Sequence, residues 1–165
     1  MKAFGFAGWS GSGKTTLIEQ LIPRFNMQGL TVSLIKHAHH NFDVDQPGKD
    51  SYRHREAGCQ EVLVTSARRW VLMHELRGAE EPGLEAQMKL VSPCDLLLVE
   101  GFKRYAMPKL EIYRKENNKP FLHPEDSNIV AVASDVPVDT GLPVFDLNDH
   151  DAIAEFIIAY NGLKK

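Results

Sequence analysis

Lys2-Ala3-Phe4-Gly5-Phe6-Ala7, followed by Gly8-Trp9-Ser10-Gly11-Ser12-Gly13-Lys14-Thr15 and then by Thr16-Leu17-Ile18-Glu19-Gln20-Leu21-Ile22, decides how this chain folds. The first piece is a short apolar run that stops at glycine. In the third, Leu17, Ile18, Leu21, Ile22 and, further on, Phe25 recur at helical spacing, so residues 15–28 read as a helix. Pro23 should kink or shorten that helix, and Gly29 is placed to end it with a left-handed cap. The middle piece satisfies G-x-x-x-x-G-K-[ST] in the setting that gives the pattern meaning, after a strand and before a helix. Its glycines let the backbone curl until successive N–H groups face phosphate oxygens, and the following helix adds its positive end. A phosphate cradle is therefore expected from Gly8, Ser10, Gly11, Ser12 and Gly13, with Lys14 reaching the β and γ phosphates and the Thr15 hydroxyl ligating Mg2+. Thr16 serves either the α-phosphate or the first turn of the helix.

Working outward, residues 31–36 read as a second strand and residues 51–57 as a short helix capped near Asp50 and stopped at Gly58. Glu61–Thr65 and Trp70–His74 are β-rich runs joined by a four-residue link, which predicts an antiparallel hairpin at one sheet edge. A helix over 84–91 leads through Pro93 to 95–100, where Leu96, Leu97, Leu98 and Val99 form the continuous apolar run of a strand buried on both faces. Residues 110–113, 129–133 and 144–147 supply further strands, and 152–160 a closing helix capped from Asn148 or Asp149. The alternation predicts an α/β fold of the P-loop NTPase type: a mostly parallel sheet flanked by helices, with its ligand at the carboxyl ends of the strands.

The chain has 165 residues, 43% hydrophobic and 25% charged, and a net charge of -3, which suits one soluble domain. That charge argues against a protein whose task is to coat nucleic acid. No apolar run nears the roughly 20 residues that span a bilayer and the N-terminus has no secretory pattern, so a cytoplasmic protein is expected. Cys59 and Cys94 have no paired spacing and read as small buried hydrophobes.

A phosphate loop needs a carboxylate at the end of a neighbouring buried strand for the metal or its water shell. Glu100 ends the 95–100 run, whereas Asp95 opens it and should lie roughly 17 Å away at about 3.3 Å per residue. Asp50 is a second candidate, either a switch residue near the γ-phosphate or simply a helix cap. His37, His39 and His40, with Asp43 and Asp45 close behind, read as a metal site, as a rim contacting an anionic ligand, or as solvated loop. Of Arg53, Arg55, Arg68 and Arg69, at most one is expected in the site. Trp9 either covers the nucleotide or packs.

Trp-Ser-Gly-Ser-Gly-Lys-Thr-Thr at 9–16, Lys-His-Ala-His-His at 36–40, Pro-Gly-Lys-Asp-Ser-Tyr at 47–52, Leu-Val-Glu-Gly-Phe-Lys at 98–103 and Ala-Val-Ala-Ser-Asp-Val-Pro at 131–137 occur in that order. In this combination the chain closely resembles the molybdopterin-guanine dinucleotide biosynthesis adaptor protein B family. The resemblance implies a homodimeric GTP-binding protein with weak magnesium-dependent GTPase activity. Such a protein assists the guanylyltransferase that attaches GMP to molybdopterin. It also implies phosphate binding by residues 11–16, a place for Glu100 in the Mg2+ site, and nearness of the loop from His37 to Asp50 to the nucleotide or to molybdopterin. One departure concerns the base: Asn118-Lys119-Pro120-Phe121 lacks the aspartate of the usual guanine reader. Asp135 is the substitute, unless it is only a turn residue. Two other functions use the same loop, a small-molecule kinase and a metal-delivery GTPase, separable by phosphorylation of a metabolite and by stoichiometric nickel or zinc binding.

Overall fold

The computed structural model describes residues 1–38 and 42–163. Its elements are β1 (Lys2–Ala7), α1 (Lys14–Met27), β2 (Val32–Lys36), α2 (Asp50–Glu56), β3 (Glu61–Thr65), β4 (Trp70–His74) and α3 (Leu84–Met88). They continue with β5 (Leu96–Glu100), β6 (Lys109–Tyr113), a 3-10 turn (Lys115–Asn117), β7 (Ile129–Ser134), β8 (Val144–Asp146) and α4 (His150–Tyr160). Two compact units result, one formed by Met1–His37 with Leu84–Lys165 and the other by Ala38–Gly83.

The first unit is built on a six-stranded sheet in the order β2-β5-β1-β6-β7-β8, with every neighbouring pair parallel. Alternate residues of the buried strands serve opposite faces. Phe4, Phe6, Leu96, Leu98, Leu110 and Ile112 meet Leu17, Ile18, Leu21 and Phe25 of α1 and Ile153, Ala154, Ile157 and Ile158 of α4 on one face. Ile35, Leu97, Val99, Leu84 and Met107 form the smaller core of the other. β5 is buried at all five positions, as its unbroken apolar run requires.

Three local readings are corrected. α1 runs through Pro23 to Met27 without shortening, because fully buried Phe25 fixes its last turn, and Gly29 (φ 74) then ends it. α3 stops at Met88, since Lys89, Leu90 and Val91 donate three residues back (to Ala86, Gln87 and Met88) and tighten the chain ahead of Pro93. Asp50 is the first residue of α2 rather than its cap: Lys49 holds that position, and Asp50 faces the helix dipole and Arg53, 3.8 Å away. At α4 the cap is Asp149, whose Oδ1 accepts from Ala152 N at 3.0 Å. Neither cysteine is buried as expected: Cys59 is exposed and Cys94 half-buried, because each lies in the segment that precedes a strand, where its thiol meets the backbone oxygen of Glu61 or Leu96.

In the second unit β3 and β4 pair antiparallel from Glu61 opposite His74 to Thr65 opposite Trp70, and they make a two-stranded sheet of their own beside α2. Arg55 organises this unit. Its guanidinium reaches Asp43 (2.8 Å), Asp45 (3.4 Å) and Glu75 (2.7 Å), with Tyr52 stacked beneath it. Its hydrogen bond from Arg55 holds the Asp43 carboxyl below the usual aspartate range.

A buried lysine spans the smaller face of the main sheet. Lys109 is 1% exposed, and its stem crosses Gly5, where a Cβ would sit 2.6 Å from Lys109 Cγ. Its ammonium donates to Lys103 O (2.6 Å) and Tyr105 O (2.9 Å) and pairs with Asp126 Oδ2 (2.6 Å), pinning the segment that follows β5. Burial alone would raise the Asp126 pKa, but Lys109 and the donors of Asn128 outweigh it, and the net shift is downward. Lys109→Met should destabilise the protein by about 2–4 kcal/mol, below the limit for a fully buried pair because Asp126 keeps some solvent. Since the folded-state pKa of Asp126 is depressed, its contribution is present above the unfolded pKa near 4 and fades as pH falls through the lower folded value. Denaturant titrations from pH 7 down to 3 should show the gap between wild type and variant narrowing. A gap independent of pH would remove this pairing as its cause.

Candidate phosphate site

At the carboxyl end of β1 the chain turns at Gly8, where only glycine fits: a Cβ there would lie 2.6 Å from Ser12 Oγ and 2.7 Å from the backbone oxygen of Ile112. Gly13, in the left-handed region at φ 91, caps α1 without a side-chain bond, and the first turn of α1 holds no acid to offset its positive end. The loop is thus tightly curled and electropositive before any ligand is considered.

Side-chain donors, from Lys14 within the loop and from Arg114 and Asn117 outside it, hold its carbonyls. Lys14 Nζ donates to Gly8 O (3.0 Å) and Trp9 O (2.9 Å), Arg114 Nε to Ser12 O (3.2 Å) and Asn117 Nδ2 to Ser10 O (3.4 Å). Trp9 Nε1 donates to Pro120 O at 2.8 Å, and its ring lies under Lys103 (4.6 Å) and Lys119 (5.8 Å). Burial pushes the Lys14 ammonium below the usual lysine range. Glu100 opposes that shift, while Lys103 and Lys36 add to it.

β5 lies beside β1 with Glu100 opposite Phe6, which brings Glu100 to the loop. Its carboxylate is almost wholly buried, and Oε1 accepts from Thr15 Oγ1 at 3.0 Å. Two oxygen groups of this kind suit Mg2+, which takes hard oxygen ligands and retains several waters. Asp95, by contrast, sits at the far end of β5, where Oδ2 accepts from Thr31 N and Thr31 Oγ1, both at 2.8 Å. Asp95 thus lies at the opposite end of the strand from the loop, where strand direction puts it.

Thr16 is exposed in the first turn of α1. His37 follows β2; its N–H donates to Glu100 O (2.9 Å), and its ring lies 5.2 Å from that of Phe102. Asp135 follows β7, and its Oδ1 accepts from Lys115 N at 2.9 Å. Asp50 belongs to the second unit. So do Arg53, Arg55, Arg68 and Arg69. His39 and His40 lie outside the described residues, among which no group of three metal-ligating side chains is gathered.

Sequence reasoning missed Lys36, Lys103, Arg114 and Asn117. Lys36 ends β2 next to Glu100, with Nζ 3.6 Å from Oε2. The signal for Lys36 and Arg114 was position, since a charged residue at the carboxyl end of a parallel strand faces the ligand side.

Residues 3–135 match the family described as molybdopterin guanine dinucleotide synthesis protein B, MobB. The chain belongs to this family. It is 43% identical over 158 residues to a protein of Escherichia coli named molybdopterin-guanine dinucleotide biosynthesis adapter protein, covering 94% of this chain and 90% of that one. A protein of Haemophilus influenzae with the same name is also 43% identical, over 93% of this chain and 85% of its own length. Among solved structures, one described as molybdopterin-guanine biosynthesis protein B superposes with a TM-score of 0.77 at 26% identity, covering 97% of this chain and 99% of that one. The MobB fold and the expected α/β class thus agree, and no helix among the described residues is long and apolar enough to cross a membrane.

Gly8→Ala should collapse the loop, because one of the two clashing groups is backbone and cannot swing away. The expected loss is about 1–3 kcal/mol of stability, as for other overpacked sites, with a changed near-ultraviolet signal from Trp9. A variant as stable as wild type would show that the loop is less tightly closed than described.

Proposed function

We propose that this chain is a GTP-binding adaptor in molybdopterin-guanine dinucleotide biosynthesis, assisting the guanylyltransferase that attaches GMP to molybdopterin. The observation that carries the nucleotide part is the contact of the Thr15 hydroxyl with the buried Glu100 carboxylate, 3.0 Å long, at the mouth of a curled glycine loop. Membership of the MobB family and the adapter names of the relatives support the pathway. In this reading Gly8, Ser10, Gly11, Ser12, Gly13 and Thr16 line the triphosphate. Lys14 exchanges the loop carbonyls it now holds for β and γ oxygens. Thr15 and Glu100 hold Mg2+, which when bound offsets charge on the terminal phosphates. Asp135, at the end of β7, reads the guanine edge, and His37, bonded to the Glu100 backbone, contacts the nucleotide. Arg114 is tied to Ser12 O, so hydrolysis by the lone protein is slow: a free arginine at the transferring group is worth about 10³–10⁵ in rate. The partner enzyme and molybdopterin meet the adaptor in the cytoplasm.

Calorimetric titration of GTP, ATP and GDP, with and without Mg2+, tests the nucleotide assignment. Wild type should bind GTP best with Mg2+, and Lys14→Ala should lose that binding by about tenfold or more, as expected for a charge-assisted contact, while unfolding at the same temperature. Equal GTP affinity in the two proteins would sink the assignment.

A homodimer is part of the same proposal. One side of the hairpin carries Leu63 (60% exposed), Thr65, Trp70 (66%) and Leu72 (46%), an apolar face of the kind that pairs between subunits. Light scattering should give twice the monomer mass, and Leu72→Glu should shift it toward monomer. Monomeric wild type at tens of micromolar, where stable dimers persist, would end this part of the proposal.

A further inference from the structure

Lys36 holds a position that the phosphate loop does not explain. It is the last residue of β2, in register with Glu100 on β5. Its ammonium lies 3.4 Å from Thr15 Oγ1 and 3.6 Å from Glu100 Oε2, so it reaches both oxygen groups that would hold the metal. The two partners differ in freedom: the Lys36 side chain is 51% exposed, that of Glu100 8%. The backbone on either side is fixed. Ile35 pairs with Val99, and His37 N donates to Glu100 O at 2.9 Å. Any movement is therefore confined to the flexible four-carbon stem.

An ammonium and a divalent cation at the same oxygens repel each other, so metal entry drives the head of Lys36 away from Glu100. A magnesium triphosphate held through Thr15 and Glu100 would bring a terminal phosphate within reach of the displaced ammonium, a group that a diphosphate lacks. We infer that Lys36 is the terminal-phosphate reader of this site: it pairs with Glu100 until a magnesium nucleoside triphosphate binds, then transfers to the γ-phosphate. Lys14 cannot give this discrimination, because a lysine of the loop also serves the β-phosphate. The inference rests on the nucleotide reading above and adds to it a residue that separates triphosphate from diphosphate.

The test is calorimetric titration of GTP and of GDP, at saturating Mg2+, into wild type, Lys36→Met and Lys36→Arg. Lys36→Met should lose about tenfold to a hundredfold in GTP affinity, the value of a charged hydrogen bond, while its GDP affinity stays within about twofold. Lys36→Arg, which keeps the charge, should retain most of the GTP affinity. Should Lys36→Met fail to fold, Lys36→Gln gives the same comparison, since it keeps a donor for Glu100 without the charge. Equal losses for both nucleotides, or unchanged GTP binding in a folded variant, would overturn the inference and leave the nucleotide reading standing. Wild type that binds neither nucleotide would overturn both.

Discussion

Parallel pairing of β1 with β5 is the constraint on which the site depends. Phe6 lies opposite Glu100, so the chain leaves β1 for the phosphate loop at the level where β5 delivers its carboxylate. A register slip of one residue would turn Glu100 toward the other face of the sheet and lose the 3.0 Å contact with Thr15. The register is secured by burial on both sides. Leu96 and Leu98 pack against α1 and α4, while Leu97 and Val99 face the smaller core, so no apolar residue of β5 could change sides without cost.

The loop itself is held from behind. Each of the carbonyls of Gly8, Trp9, Ser10 and Ser12 accepts from a side chain, namely Lys14, Asn117 or Arg114. Arg114 and Asn117, through the carbonyls of Ser12 and Ser10, fix the orientation of the peptide planes that follow those residues. The segment that supplies Arg114 and Asn117 is in turn anchored by Glu111, a buried carboxylate that accepts from Leu122 N (2.6 Å) and His123 N (3.0 Å), and by the stacking of Tyr113 on Phe121. Lys109 does the corresponding task for the segment after β5, which brings Lys103 over Trp9.

The phosphate loop, α1 and the Glu100 strand were legible because each is encoded locally: glycines at fixed spacing, apolar residues at helical period, an unbroken apolar run ending in an acid. Lys36, Arg114 and Asn117 were not, because their roles arise only when the strand order puts β2 beside β5 and β6 beside β1. The strand expected over 110–113 begins one residue earlier, at Lys109, a buried lysine for whose stem Gly5 across the pairing makes room. The hairpin was read correctly as a pair, but the alternation within two strands carries no information about a third, so its separation from the main sheet could not be foreseen. Asp50 misled by type, since aspartate favours the cap, whereas Lys49 occupies it with extended backbone alone.

Trp9 and Trp70 are the two tryptophans of the chain, and they fall in different units. Trp9 is partly buried, its indole N–H bonded to Pro120 O and its ring beneath Lys103, while Trp70 is 66% exposed on the hairpin. Replacing either by phenylalanine leaves a single indole whose emission belongs to one unit. The protein thus carries its own pair of optical labels: in one variant the remaining indole reports on the surroundings of the phosphate loop, in the other on the apolar strand face, so a change at either place can be told from a change at the other without an added dye.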